Sequence, residues 1–200
     1  MNAEMQPLYW RIQNNDNSGF DAVSLLMPAG EGEPATLVPT EVSFCSRRTG
    51  TQAVDVRWTD EDSDLFMHLL ERVSDDHADE TDEGMVLDIN DGVVQGIVQL
   101  VALARFKTPW PSDDLVAGDI NTVREDIEIG DLVAIHTHYG CPMAIVVGMD
   151  SIDLTCILLE DIEAEGVSIV PEHSVFVINR DSALPPAFAE SDTGEDAVFH

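Results

Sequence analysis

Apolar and polar residues alternate with a period of two from the start of the chain. Leu8, Trp10 and Ile12 fall on one side and Tyr9, Arg11 and Gln13 on the other, which predicts a strand with one buried face. The turn-forming run Asn14 to Gly19 separates it from a second strand over Phe20 to Met27. A Gly/Pro/Glu loop spans Pro28 to Pro34, Val42 and Phe44 open a third strand, and Ser46 to Thr51 form another turn. Val54, Val56 and Trp58 alternate with Asp55 and Arg57 to make a fourth strand.

The period then lengthens. Thr59 suits an N-cap, and Asp60, Glu61, Asp62 and Asp64 place negative charge in the first helical turn, where the backbone dipole favours it. Leu65, Phe66, Leu69, Leu70 and Val73 follow as one apolar stripe at helical spacing. An acidic loop runs from Ser74 to Gly84, Val86 to Ile89 reads as a short strand, and Asp91 to Phe106 as a second helix, apolar around most of its circumference. Two prolines in Thr108 to Asp114 mark a linker.

Beyond the linker, short apolar runs recur between turn signals. They cover Ile127 to Val133, Met143 to Val147, Leu154 to Leu159, Val167 to Val170 and Val175 to Ile178. Glu163 to Gly166 read as a turn among them. Five strands so closely spaced suit a small closed barrel. The fold expected is therefore α+β, with four parts. A strand-rich N-terminal domain with two helices covers residues 1–107, and a linker 108–126. A small SH3-like or OB-like five-stranded β-barrel module covers 127–180, and an extended acidic tail 181–200.

Charge changes the picture more than any motif. The chain carries 39 acidic residues against 9 basic ones, a net charge of −30 over 200 residues, and Lys107 is its only lysine. In ~1 M salt the Debye length falls to ~3 Å, so carboxylates that would repel one another are screened and still keep the surface hydrated. Adaptation to high salt accounts for this composition. Imitation of a nucleic acid by carboxylates, or an Arg-favouring genome, are the alternatives. The acids are spread through the chain, as a solvated surface requires, and the basic footprint of a nucleic-acid binder is missing. The apolar stretch from Val93 to Phe106 is too short and too interrupted to span a bilayer. The first ten residues have no basic start or apolar run. A cytoplasmic or virion location is expected, neither secreted by a signal peptide nor transmembrane.

Candidate chemistry concentrates in His136 to Cys141, HTHYGC. On a strand His136 and His138 would share a face about 6.6 Å apart, and Cys141 across a turn would complete three zinc ligands. A fourth ligand is not indicated, so no metal is expected there. The stretch Gly130 to Gly148, GDLVAIHTHYGCPMAIVVG, resembles the strand and hairpin that carry the catalytic histidine in NlpC/P60 cysteine peptidases. Pro142 stands where that histidine would precede the return strand, and Cys45 lies in a strand-like run instead of opening a helix. The resemblance implies a strand-hairpin pattern and no peptidase site. Asp60, Asp62 and Asp64 match the alternation of a calcium loop, but Phe66 replaces its glycine. No GxSxG, phosphate loop or nucleophile-base pair is present.

No catalytic residue and no cofactor are therefore expected. Phe188, Val198 and Phe199, set among Glu190, Asp192, Glu195 and Asp196, are candidate partner-binding anchors. The function expected is that of a non-catalytic assembly, adaptor or structural protein, a virion component included, from a halophilic organism or its virus. The partner would be another protein or a second copy, with no direct nucleic-acid or membrane contact. An acidic DNA-mimic inhibitor and a metal-dependent enzyme are the alternatives.

Overall fold

The computed structural model describes residues 7–14, 19–28, 34–45, 52–75, 88–111, 115–117 and 126–190. Among them the chain is strand-rich, which overturns the expected α+β class. Eleven strands form three antiparallel sheets, one of them curled into a half-barrel, with only three short helices. The chain divides into two compact units, residues 1–106 and 107–200.

The first unit is built on β1 (Tyr9–Asn14), β2 (Phe20–Met27), β3 (Thr36–Cys45) and β4 (Val54–Arg57), in the order β3-β2-β1-β4. It is not the helix-plus-strand arrangement expected, because the antiparallel sheet organises the core. The period of two in β1 appears as fully buried Trp10 and buried Ile12. β3 begins six residues before the Val42 expected. Pro39 interrupts the alternation there, yet sits opposite Ser24, and a bulge absorbs Thr40 to Val42. A proline is tolerated on such an edge strand because its missing N–H faces no partner.

Two helices pack onto one face of this sheet. α1 (Asp60–Asp75) packs against α2 (Gly92–Phe106), and α2 against β3. Thr59 does cap α1: its hydroxyl accepts from the Asp62 N–H at 3.3 Å, while the Asp62 carboxylate accepts from the Thr59 N–H at 2.9 Å. The same Asp62 oxygen accepts from the Trp10 indole N–H at 3.2 Å, so a carboxylate expected in the first helical turn is also buried and ties helix to sheet. Trp10 stacks on Trp58 at 4.8 Å and meets Phe106 edge-on at 5.6 Å, and Trp58 meets Phe66 at 6.2 Å. Leu69 and Leu70 are buried, but Leu65 and Phe66 only half-buried. Asp91 caps α2 by accepting from the Val93 N–H at 2.7 Å. That helix buries Ile97, Val98, Val101, Ala102 and Leu103 and leaves Val93 exposed. The short strand expected at Val86 to Ile89 lies partly outside the described residues, and Ile89 and Asn90 form a turn.

The second unit corrects the barrel. Its five-stranded sheet runs β10-β7-β6-β5-β11. The members are β5 (Leu132–Ile135), β6 (Met143–Met149), β7 (Asp153–Leu158), β10 (Val175–Asn179) and β11 (Ala183–Leu184). The run Val167 to Val170 does not join it. That run is β9, paired with β8 (Ile162–Ala164) in a separate hairpin. Its two loop residues, Glu165 and Gly166, have φ of 53° and 76°, the left-handed pair that suits a tight hairpin turn. A bulge between Val146 and Gly148 bends β6. The other departure is at the tail: Ala183 and Leu184, expected to be extended and solvated, are fully buried and pair with Ile135 and Ala134. A short helix, α3 (Ala187–Glu190), follows.

Leu69→Ala should lower the unfolding free energy by about 2–5 kcal/mol, because the side chain is only 2% exposed. A loss below about 0.5 kcal/mol, as at ordinary surface positions, would contradict that packing. Cutting the chain after Arg180 should lower the melting temperature of the second unit by removing β11, whereas cutting after Glu190 should not. Equal melting temperatures for the two truncations would show that β11 contributes nothing.

Candidate functional site

The HTHYGC segment sits past the end of β5, not on it. Thr137 closes a tight turn, with its N–H and its hydroxyl both donating to the Gly140 carbonyl at 2.9 and 2.7 Å, and the Tyr139 N–H donating to its hydroxyl at 3.1 Å. Gly140 takes φ of 116°, which a side chain would disfavour. Residues 115–117 run alongside: the Ala117 N–H donates to the His136 carbonyl and the His138 N–H to the Leu115 carbonyl, both at 3.0 Å. The half-buried His136 ring places Nδ1 3.0 Å from the Ala117 carbonyl. A carbonyl only accepts, so Nδ1 carries the proton there. His138 is exposed, and Cys141 lines a different cleft. Among the described residues no three His, Cys, Asp or Glu side chains gather at metal-ligating distance.

That cleft, about 350 Å³, lies between the tip and the β8-β9 hairpin. Tyr139, Cys141 and Pro142 form one side, Glu160, Asp161 and Glu163 the other, and Ala189 of α3 adjoins them. Two of the carboxylates serve the backbone. Glu160 accepts from the Met143 N–H at 2.5 Å, and Asp161 from the Glu172 N–H at 2.7 Å. The Glu172 N–H and then the Ser168 hydroxyl hold the Asp161 carboxyl below its ordinary value. Those bonds favour the folded state above the ordinary carboxylate range and are lost as pH falls through the lowered value.

The first unit holds an apolar cavity of about 110 Å³, lined by Leu8, Leu25, Met27, Trp58, Phe66, Ile89, Val94 and Val98. Its sheet also has a second face, turned from the helices. Register places Tyr9, Arg11 and Gln13 of β1 there, with Ala22, Ser24 and Leu26 of β2 opposite them. Phe20 of β2 and Leu37, Pro39, Ser43 and Cys45 of β3 continue the face on one side, and Asp55 and Arg57 of β4 on the other. Phe20 is 50% exposed and Leu37 45%. Arg11 grips Asp55 through two hydrogen bonds of 2.8 Å each. That contact raises the Arg11 pKa and, through the same hydrogen bonds, lowers that of Asp55. Arg57, opposite Tyr9, is exposed. The face thus carries Arg11 and Arg57, two of the nine basic residues, with Asp55 held by Arg11 and Glu41 exposed in the bulge of β3. Elsewhere the described carboxylates are exposed on α1 and through much of the second unit, α2 carries none, and only Asp21 and Asp62 are buried.

Sequence reasoning missed this face because its signal, few acids among alternate residues of four separated segments, is visible only once strand register is known. The anchor Phe188 lies on α3, 44% exposed, while Val198 and Phe199 lie outside the described residues. No helix among the described residues is long and apolar enough to cross a membrane. No protein-family model matches the chain, and no curated protein matches its sequence.

The three cysteines, none in a disulfide, provide a check on these placements. Burial pushes the Cys156 thiol up to about 12, and only the thiolate is an effective nucleophile. Cys45 should therefore react with a thiol reagent in the folded protein, and Cys156 only after unfolding. Modification of Cys156 at the rate of Cys45 would contradict the second core.

Proposed function

We propose that this chain is a non-catalytic assembly or adaptor protein that works at high salt, in a halophilic organism or one of its viruses. The observation that carries the reading is the helix-free sheet face of the first unit. On a chain of net charge −30, a surface sparing in carboxylates is suited to contact with another molecule, because interface centres are depleted of charge. This face has the composition of an interface: exposed Phe20 and Leu37, half-buried Tyr9, and two arginines, one of them paired with Asp55. Interface centres lose charge and gain aromatic residues and arginine in the same way. The remaining carboxylates are dispersed over both units, which supports a salt-adapted surface over a duplex-like row of charges.

Two measurements test the parts of this reading. The melting temperature should rise from low to multimolar KCl, because at 0.01 M salt repulsion reaches about 30 Å and at 1 M only about 3 Å. A flat profile would remove the halophilic component. In extract of a halophilic host prepared at molar KCl, the chain should elute within a larger complex. Elution as a free 21.9 kDa monomer would overturn the assembly component.

A further inference from the structure

We infer that the helix-free face of the β3-β2-β1-β4 sheet binds the acidic C-terminal segment of a second copy of this chain. The inference rests on the assembly reading and deepens it by naming both surfaces. The face offers what an acidic, aromatic segment requires. Phe20 and Leu37 present exposed apolar area, and Arg57, opposite Tyr9, is exposed, while Asp55 on the same strand is held by Arg11.

The segment from Phe188 to His200 is the complement. It carries Glu190, Asp192, Glu195 and Asp196 between the apolar anchors Phe188, Val198 and Phe199, and no Lys or Arg. Phe188 already stands out from α3, 44% exposed. Pro185 and Pro186 separate β11 from α3. On α1 and through much of the second unit an acidic segment would meet exposed carboxylates, and like charges in contact oppose binding. At molar salt long-range attraction is screened within about 3 Å. The contact therefore relies on buried aromatic area and on guanidinium-carboxylate pairs in direct contact, for which arginine's fork is suited and lysine is not.

The test uses two full-length-derived proteins in 3 M KCl: Arg57→Glu, which spoils the face, and a chain ended after Glu190, which removes the segment but keeps β11 and α3. Sedimentation reads association, and melting temperature reads folding. Wild type is expected to self-associate. Each variant alone should weaken association by about tenfold or more, the effect of removing one well-placed anchor, with an unchanged melting temperature. Mixing the two should restore association, because one supplies an intact face and the other an intact segment. Leu37→Asp provides a second spoiled face should Arg57→Glu melt early. If the chain ended after Glu190 associates as wild type does, or if the mixture stays monomeric, the inference is wrong while the assembly reading stands on another surface. If wild type is monomeric alone yet elutes in a larger complex from extract, the segment of a second copy is not the occupant and the partner is a different protein.

Discussion

Thirty net negative charges on 200 residues are the constraint to which the rest of this structure answers. Each carboxylate must stay hydrated or be paired, since burying a bare one costs several kcal/mol. The fold meets this by confining apolar residues to two separate cores and leaving nearly every described carboxylate outside them. The second core, around Val133, Val146, Leu158 and Phe176, contains no ionisable side chain apart from the inert Cys156 thiol.

Asp62 is the informative exception. It is 4% exposed, yet it accepts from the Thr59 backbone and the Trp10 indole, so its charge is met by two donors. The Trp10 bond joins the start of α1 to β1, an inner strand of the sheet. Around it Trp10, Trp58, Phe66 and Phe106 make a connected aromatic cluster. A residue that caps a helix in isolation thereby also fixes where that helix sits. With the helices held on one side, the sheet's other side is left without cover from them. The HTHYGC tip, which drew attention through its chemistry, is organised chiefly by hydrogen bonds between its own turn and residues 115–117.

Local pattern alone determined a good deal. The period of two from Leu8 to Gln13 and the stripe from Leu65 to Leu70 are visible without coordinates, because a strand or an amphipathic helix announces its buried face through spacing. The Thr59 cap was equally legible, being a contact between residues three apart. So was the dispersal of charge, which needs only counting. What the sequence left open were pairings between distant segments. Whether Val167 to Val170 joins the large sheet or turns back on Ile162 depends on which partner is nearer in space. Ala183 and Leu184 look like the start of a tail until β5 is found beside them. Asp62 reads as one more acid of the first helical turn until Trp10, 52 residues away, donates to it. The sparsely acidic sheet face is spread over four strands and emerges only from their register. Spacing encodes the conformation of a segment, whereas the tertiary structure alone decided which segments meet, because that choice depends on burial and hydrogen bonds shared across the whole fold.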